Sequence, residues 1–177
     1  SQEEFRGIAS VILAGGRDTV VKLITGIIWH FGRNPEDFEY LRQNPDRIDA
    51  AIQELLRFLT PNAAMVRSTV PESTAETLPE DRYVQISFIS GNFDETVFEN
   101  PYKLDIRRER IPHVSFGFGP HTCIGNHVSE IEARVFIETL LASGLKWEVS
   151  ESSKINFYPG AMAEVPEHFD SLYVRLR

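Results

Sequence analysis

A single cysteine, Cys123, stands in a chain of 177 residues. No internal disulfide can form, so nothing here calls for an oxidising compartment, and a cytoplasmic protein is expected. Positive charge is also scarce, with 18 Lys and Arg against 26 Asp and Glu, for a net charge of −8. Nucleic-acid binding depends on clustered basic side chains, so this balance excludes it. The same deficit argues against an anionic membrane surface. The start, Ser1-Gln2-Glu3-Glu4-Phe5, lacks the basic and apolar regions of a signal peptide, and the missing initiator Met suggests a piece of something longer. An apolar run over residues 8–29 approaches membrane-span length, but Arg17, Asp18 and Lys22 interrupt it. It reads as a buried helix of a protein that spans no membrane.

What is present suits one globular domain: 42% hydrophobic and 25% charged residues. The pattern predicts one long helix over residues 3–31, ending near Gly32. Asn34-Pro35 and Asn44-Pro45 then open helices over 34–41 and 44–59, because Asn suits the cap and Pro the first helical position. Short strands are predicted over 65–70 and 83–89, joined by a Pro/Glu-rich connection. Residues 92–114 show little periodicity, and such irregular segments inside compact domains are usually functional or well anchored. A glycine-rich turn leads to a helix over 124–141. The tail, 145–177, reads as a small antiparallel sheet whose last strand is 171–176.

The turn is the most informative stretch. Phe116-Gly117-Phe118-Gly119-Pro120-His121-Thr122-Cys123-Ile124-Gly125 surrounds the cysteine with three glycines and a proline just before a helix. Backbone N–H groups at a helix start favour thiolate over thiol. Gly119 and Gly125 lack a Cβ, which lets a flat ligand approach the backbone. A lone cysteine is more often a small buried hydrophobe, yet a filler needs no such turn.

This run resembles the heme-binding signature of cytochromes P-450: Phe116, Gly119, His121, Cys123 and Gly125 occupy its defining positions, with Ser129 where the family usually has Ala. Glu132-Ala133-Arg134 again resembles the bacterial members. The resemblance implies that Cys123 is the thiolate ligand of heme iron and that His121 faces a heme propionate.

In the first helix, Ala14-Gly15-Gly16-Arg17-Asp18-Thr19 sets two glycines in apolar surroundings, each costing about 1 kcal/mol relative to Ala. Alone, this marks either a kink or a close-packing notch. Beside the cysteine signature it resembles the family's oxygen-groove motif, especially in camphor-hydroxylating bacterial members. That implies proton delivery by Asp18 and Thr19, Ala14 and Gly15 against the heme, and Arg17 pointing away. Glu54-Leu55-Leu56-Arg57, taken alone, is more often a solvated surface pair. Its place in the chain resembles the structural Glu-x-x-Arg of the family, whose usual third member is an Arg where Lys103 stands here. Asn92-Phe93-Asp94 resembles a run that commonly has Arg where Phe93 lies. Arg67, alone an edge-strand surface residue, matches the arginine that pairs with a propionate, after a pocket-lining segment at 62–66.

The expected fold is mainly α with small β-sheets, the C-terminal half of the cytochrome P-450 fold, with residues 1–177 as its heme-binding part. A long distal helix faces the cysteine loop and proximal helix. The expected function is a heme-thiolate monooxygenase using heme b (iron protoporphyrin IX) to hydroxylate a small apolar organic substrate, fed by a ferredoxin-type electron donor. The family's domain is more than twice this length, so an oligomer or a missing N-terminal half is expected over the open apolar face. The alternatives are a non-catalytic heme-binding module and a heme-free interaction domain with the same partial fold.

Overall fold

The computed structural model describes residues 1–69 and 82–177, so Val70 and the Pro/Glu-rich connection lie outside the described residues. The single helix expected over 3–31 is instead two, α1 (Gln2–Gly15) and α2 (Asp18–Arg33). The amide of Gly16 closes α1 on the carbonyl of Ile12 at 3.0 Å. The Thr19 hydroxyl donates to the Gly15 carbonyl at 2.8 Å, competing with the backbone ladder where two glycines already weaken it. Packing changes at the same point. Helix α1 buries no residue and is held by a capping box between Ser1 and Glu4. Helix α2 buries Leu23, Ile27, Trp29, His30 and Phe31.

Helices α3 (Pro35–Gln43) and α4 (Ile48–Leu59) follow, with a 3₁₀ turn, Pro45–Arg47, between them. The two asparagines act differently from the caps expected of them. Asn34 Nδ2 donates back to the His30 carbonyl at 2.8 Å and Asn44 Nδ2 to that of Tyr40 at 2.9 Å. Each therefore closes the preceding helix, while proline starts the next. His30, Asp37 and Arg107 bind these helices to the later loop: Asp37 Oδ2 lies 2.9 Å from His30 Nε2, and its Oδ1 accepts from Arg107 Nη1 at 2.6 Å. Burial works to raise the Asp37 pKa, but hydrogen bonds from His30 and Arg107 outweigh it and hold the carboxyl below its ordinary range.

Strands β1 (Ala64–Ser68) and β2 (Tyr83–Ser87) pair antiparallel, Arg67 opposite Val84. The second strand stops short of residue 89. Ser87 accepts from the Ser90 amide and caps a short helix, α5 (Phe88–Asn92). Helix α6 (Asn126–Ser143) follows the cysteine loop and ends at Gly144, whose φ of 69° is left-handed. The tail forms two ladders rather than one sheet: β3 (Trp147–Val149) with β6 (Val174–Leu176), and β4 (Lys154–Phe157) with β5 (Pro166–Ser171). Strand 171–176 is thus divided, since Ser171 ends one ladder and Val174 begins the other. Among the described residues no helix is long and apolar enough to cross a membrane.

The core lies where α2, α4 and α6 meet, built from Leu23, Ile27, Ile52, Leu55, Leu59 and Ile137. Gly26 makes the α2–α4 crossing possible: a Cβ there would stand 2.3 Å from Leu59 Cδ1. Leu59 is fully buried and has nowhere to move. Gly26→Ala is therefore expected to lower stability by about 1–3 kcal/mol despite its better helix propensity, read as a lower urea midpoint with an unchanged slope.

Candidate heme-thiolate site

Two left-handed glycines shape the cysteine loop, Gly117 at φ 72° and Gly119 at φ 71°, a conformation that strains any residue with a Cβ. A 3₁₀ turn, Gly119–His121, carries the chain round. The Cys123 amide then donates to the Phe116 carbonyl at 2.8 Å, closing the loop on its own stem. Phe116 packs against the core, and the Cys123 side chain is exposed. Gly125 occupies the cap position of α6, where a Cβ would meet only Cys123 Sγ at 3.8 Å. The helix begins at Asn126 rather than residue 124, leaving the thiol just ahead of its free N–H groups. Ser129 satisfies its hydroxyl on the Asn126 carbonyl at 2.8 Å.

A cavity of about 220 Å³ opens beside the loop, lined by Arg67, Ile86, Phe88, Val114, Gly117, Phe118 and His121. It brings together Arg67 and His121, which lie 54 positions apart in sequence. Among the described residues Arg67 hydrogen-bonds only the adjacent Val66 carbonyl, at 2.9 Å. Most of its five N–H donors are therefore left for an acidic group. Phe118 and Ile124 are 89% and 86% exposed. An open thiol, glycines offering no Cβ, uncovered apolar side chains and a cationic recess fit a flat apolar metal-bearing group with acidic arms. Heme has that description.

The loop stands on a buried polar network. Glu54 and Arg57 are both fully buried, which corrects the solvated pair that the motif alone suggests. Arg57 Nε and Nη2 donate to the two Glu54 oxygens at 2.8 Å each, the bidentate geometry available to a guanidinium. Arg57 also donates to the carbonyls of Asn92 at 2.8 Å and Lys103 at 3.2 Å. The Lys103 side chain stays outside, 73% exposed. Arg108 supplies the further cation instead, with Nε 3.2 Å from Glu54 Oε2. Phe93, standing where the family commonly has Arg, joins Phe58 and Phe98 around the Arg57 guanidinium, 5.1–5.9 Å from the ring centroids. Asn92 is the hub that sequence reasoning missed. Its amide donates to Thr60 Oγ1 and Ser115 Oγ at 2.9 and 2.8 Å, and its oxygen accepts the Val114 amide at 2.8 Å. Only its buried neighbours reveal that role; the Asn-Phe-Asp run was the sole signal.

Ala14, Gly15 and Asp18 are exposed and Thr19 is half-buried. Among the described residues the polar contacts of Asp18 and Thr19 stay local, to Arg17 Nε at 3.7 Å and the Gly15 carbonyl at 2.8 Å. No hydrogen bond joins them to the cysteine loop. One turn on, Lys22 Nζ reaches the Thr60 carbonyl at 3.4 Å and lies 5.6 Å from the Tyr158 ring centroid. Burial pushes its pKa down to about 8, against a weaker pull from the Glu167 charge.

Comparison with known proteins agrees with this arrangement. The model of the cytochrome P-450 family matches residues 1–168. A cytochrome P-450 of Bacillus subtilis is 34% identical, over 96% of this chain and 43% of its own. Linalool 8-monooxygenase of Pseudomonas putida is 29% identical, over 85% of this chain and 38% of its own. The solved structure of a Novosphingobium aromaticivorans cytochrome P-450 superposes with a TM-score of 0.79 at 30% identity, over 94% of this chain and 42% of that one. The chain belongs to the cytochrome P-450 family. It spans less than half the length of these relatives.

Two outcomes are expected. Arg57→Ala leaves Glu54 buried and short of a partner and costs about 3–5 kcal/mol, measured by denaturant titration. Lys22 is neutral in the folded chain above about pH 8 but protonated in the unfolded chain up to its ordinary 10.5. The unfolded state then binds more protons, so stability rises with pH across that window. Lys22→Met should remove that rise and raise the melting temperature at neutral pH.

Proposed function

We propose that residues 1–177 are the C-terminal, heme-binding part of a cytoplasmic cytochrome P-450 monooxygenase, with Cys123 as the thiolate ligand of heme b. The carrying observation is the exposed Cys123 thiol beside a recess that gathers Arg67 and His121. When bound, the heme supplies dioxygen activation and insertion of one oxygen atom into a small apolar organic substrate. Arg67 and His121 hold its propionates, while Phe116, Gly119 and Gly125 shape the proximal wall. Glu54 and Arg57 keep that wall in place and touch no reactant.

Ala14 and Gly15 offer a shallow surface on the opposite wall. The Thr19 hydroxyl proton is engaged with the Gly15 carbonyl, which leaves the Oγ1 lone pairs free to accept a hydrogen bond. Asp18, solvent-exposed next to Thr19, exchanges protons with water and passes them inward. The linalool-hydroxylating relative supports a small apolar substrate. A ferredoxin-type donor would dock over the cysteine loop. The family's longer relatives support a further polypeptide segment, or an oligomer, over the exposed Phe5, Ile8 and Ile12 of α1.

A second reading, a heme-binding module that does not oxidise or a heme-free interaction domain, draws support from one observation: α1 buries no residue. Absorption spectroscopy of the chain with added heme, reduced and exposed to carbon monoxide, tests both. The red-shifted Soret band of thiolate ligation is expected, and Cys123→Ser should abolish it; a band surviving that change sinks the ligand assignment. Ligation without product from any donor-substrate pair would favour the module, and a colourless chain the heme-free domain.

A further inference from the structure

Two side chains outside the recess join the stem of the cysteine loop to a half-buried acid on α6. His113 Nδ1 lies 3.2 Å from the Ser115 amide, and His113 Nε2 lies 2.8 Å from Gln53 Oε1. Since Nδ1 must accept that amide proton, the ring hydrogen belongs on Nε2, where it donates to Gln53. The Gln53 amide is thereby oriented, and its Nε2 donates to Glu130 Oε1 at 3.0 Å. Each partner dictates the next, and the chain works only with an uncharged imidazole. A second ring proton would point Nδ1–H at the Ser115 N–H. Burial pushes the His113 pKa down to about 4, with Arg57 acting the same way and Glu130 and Glu54 opposing.

Both ends of the chain matter. At one end Ser115 Oγ donates to the Leu56 carbonyl at 2.8 Å, and the next residue, Phe116, holds the Cys123 amide. At the other, Glu130 sits on α6 with the exposed His127 ring 3.6 Å away. We propose that Glu130, Gln53 and His113 form a positioning relay that clamps the stem of the cysteine loop to both α4 and α6. None of the three touches Cys123. Their importance for ligation rests on reading Cys123 as the heme ligand; the clamp itself does not.

Amide hydrogen exchange on the full chain without heme reads the clamp directly. His113→Phe keeps the ring and deletes both polar contacts. The Ser115 and Cys123 amides should then exchange at least roughly tenfold faster, with Ile137 in α6 unchanged. His113→Asn places an oxygen near the former Nδ1 but cannot reach Gln53, so it should restore protection only in part. Glu130→Gln still offers Gln53 an acceptor and should resemble the parent, whereas Glu130→Leu should not. Unchanged Cys123 protection in both His113→Phe and Glu130→Leu overturns the proposal, as does equal acceleration at Ile137. With heme added, His113→Phe should lower the fraction showing the thiolate-type carbon monoxide band, and His113→Asn should recover it only in part. A parent chain that takes up no heme defeats the ligand reading and leaves the exchange result to decide the relay.

Discussion

Burying a guanidinium costs several kcal/mol unless its donors are answered, and Arg57 is fully buried. Two donors go to Glu54, three residues away; the others reach carbonyls 35 and 46 positions later. Residues 93–115, which form no helix or strand of their own, are thereby compelled to fold back over α4. The Glu54 oxygens add the Asp105 amide at 3.0 Å and the Arg108 guanidinium at 3.2 Å. An irregular segment is made rigid by another element's charge, and the loop bearing Cys123 begins where that segment ends.

This explains why the two walls proposed for the site differ. The cysteine wall is fixed by buried hydrogen bonds whose loss strands a charge or an amide in low dielectric. The proposed wall with Asp18 and Thr19 stands at the point where α2 leaves the core, and α1 beyond it buries no residue of its own. One wall is thus set by interactions across the fold, the other by interactions within a few residues.

Local rules predicted what is local. Pro35 marked a helix start, Pro45 marked the 3₁₀ turn that leads into α4 within the helix expected over 44–59, and the glycines of the cysteine loop marked a turn whose left-handed angles require them. Those rules misjudged Asn34 and Asn44, whose side chains serve the preceding helix, because a short amide can bond in either direction. The break after Gly15 was visible as a weakness, but whether a weak helix bends or stops depends on packing that no window of sequence contains. The network joining Asn92, Thr60 and Ser115 escaped notice for the same reason: its partners lie 22 to 59 positions apart. Beta propensity in 83–89 hid a helix start that Ser87 announces by its capping bond.

Arg108 makes two positions of the chain interdependent. The cation expected at position 103 is a lysine turned to solvent, while Arg108 approaches Glu54 and donates to the Glu99 carbonyl at 3.0 Å. A carboxylate demands a compensating charge, not a particular residue to provide it. With Arg108 engaged, the side chain at position 103 is not needed for that charge. An arginine at 103 would bring a second guanidinium towards oxygens already claimed, while losing Arg108 would leave Glu54 under-compensated. Neither change is neutral, because residues sharing one partner do not contribute additively. A single buried carboxylate thereby couples the two positions, so a change at either is felt at the other.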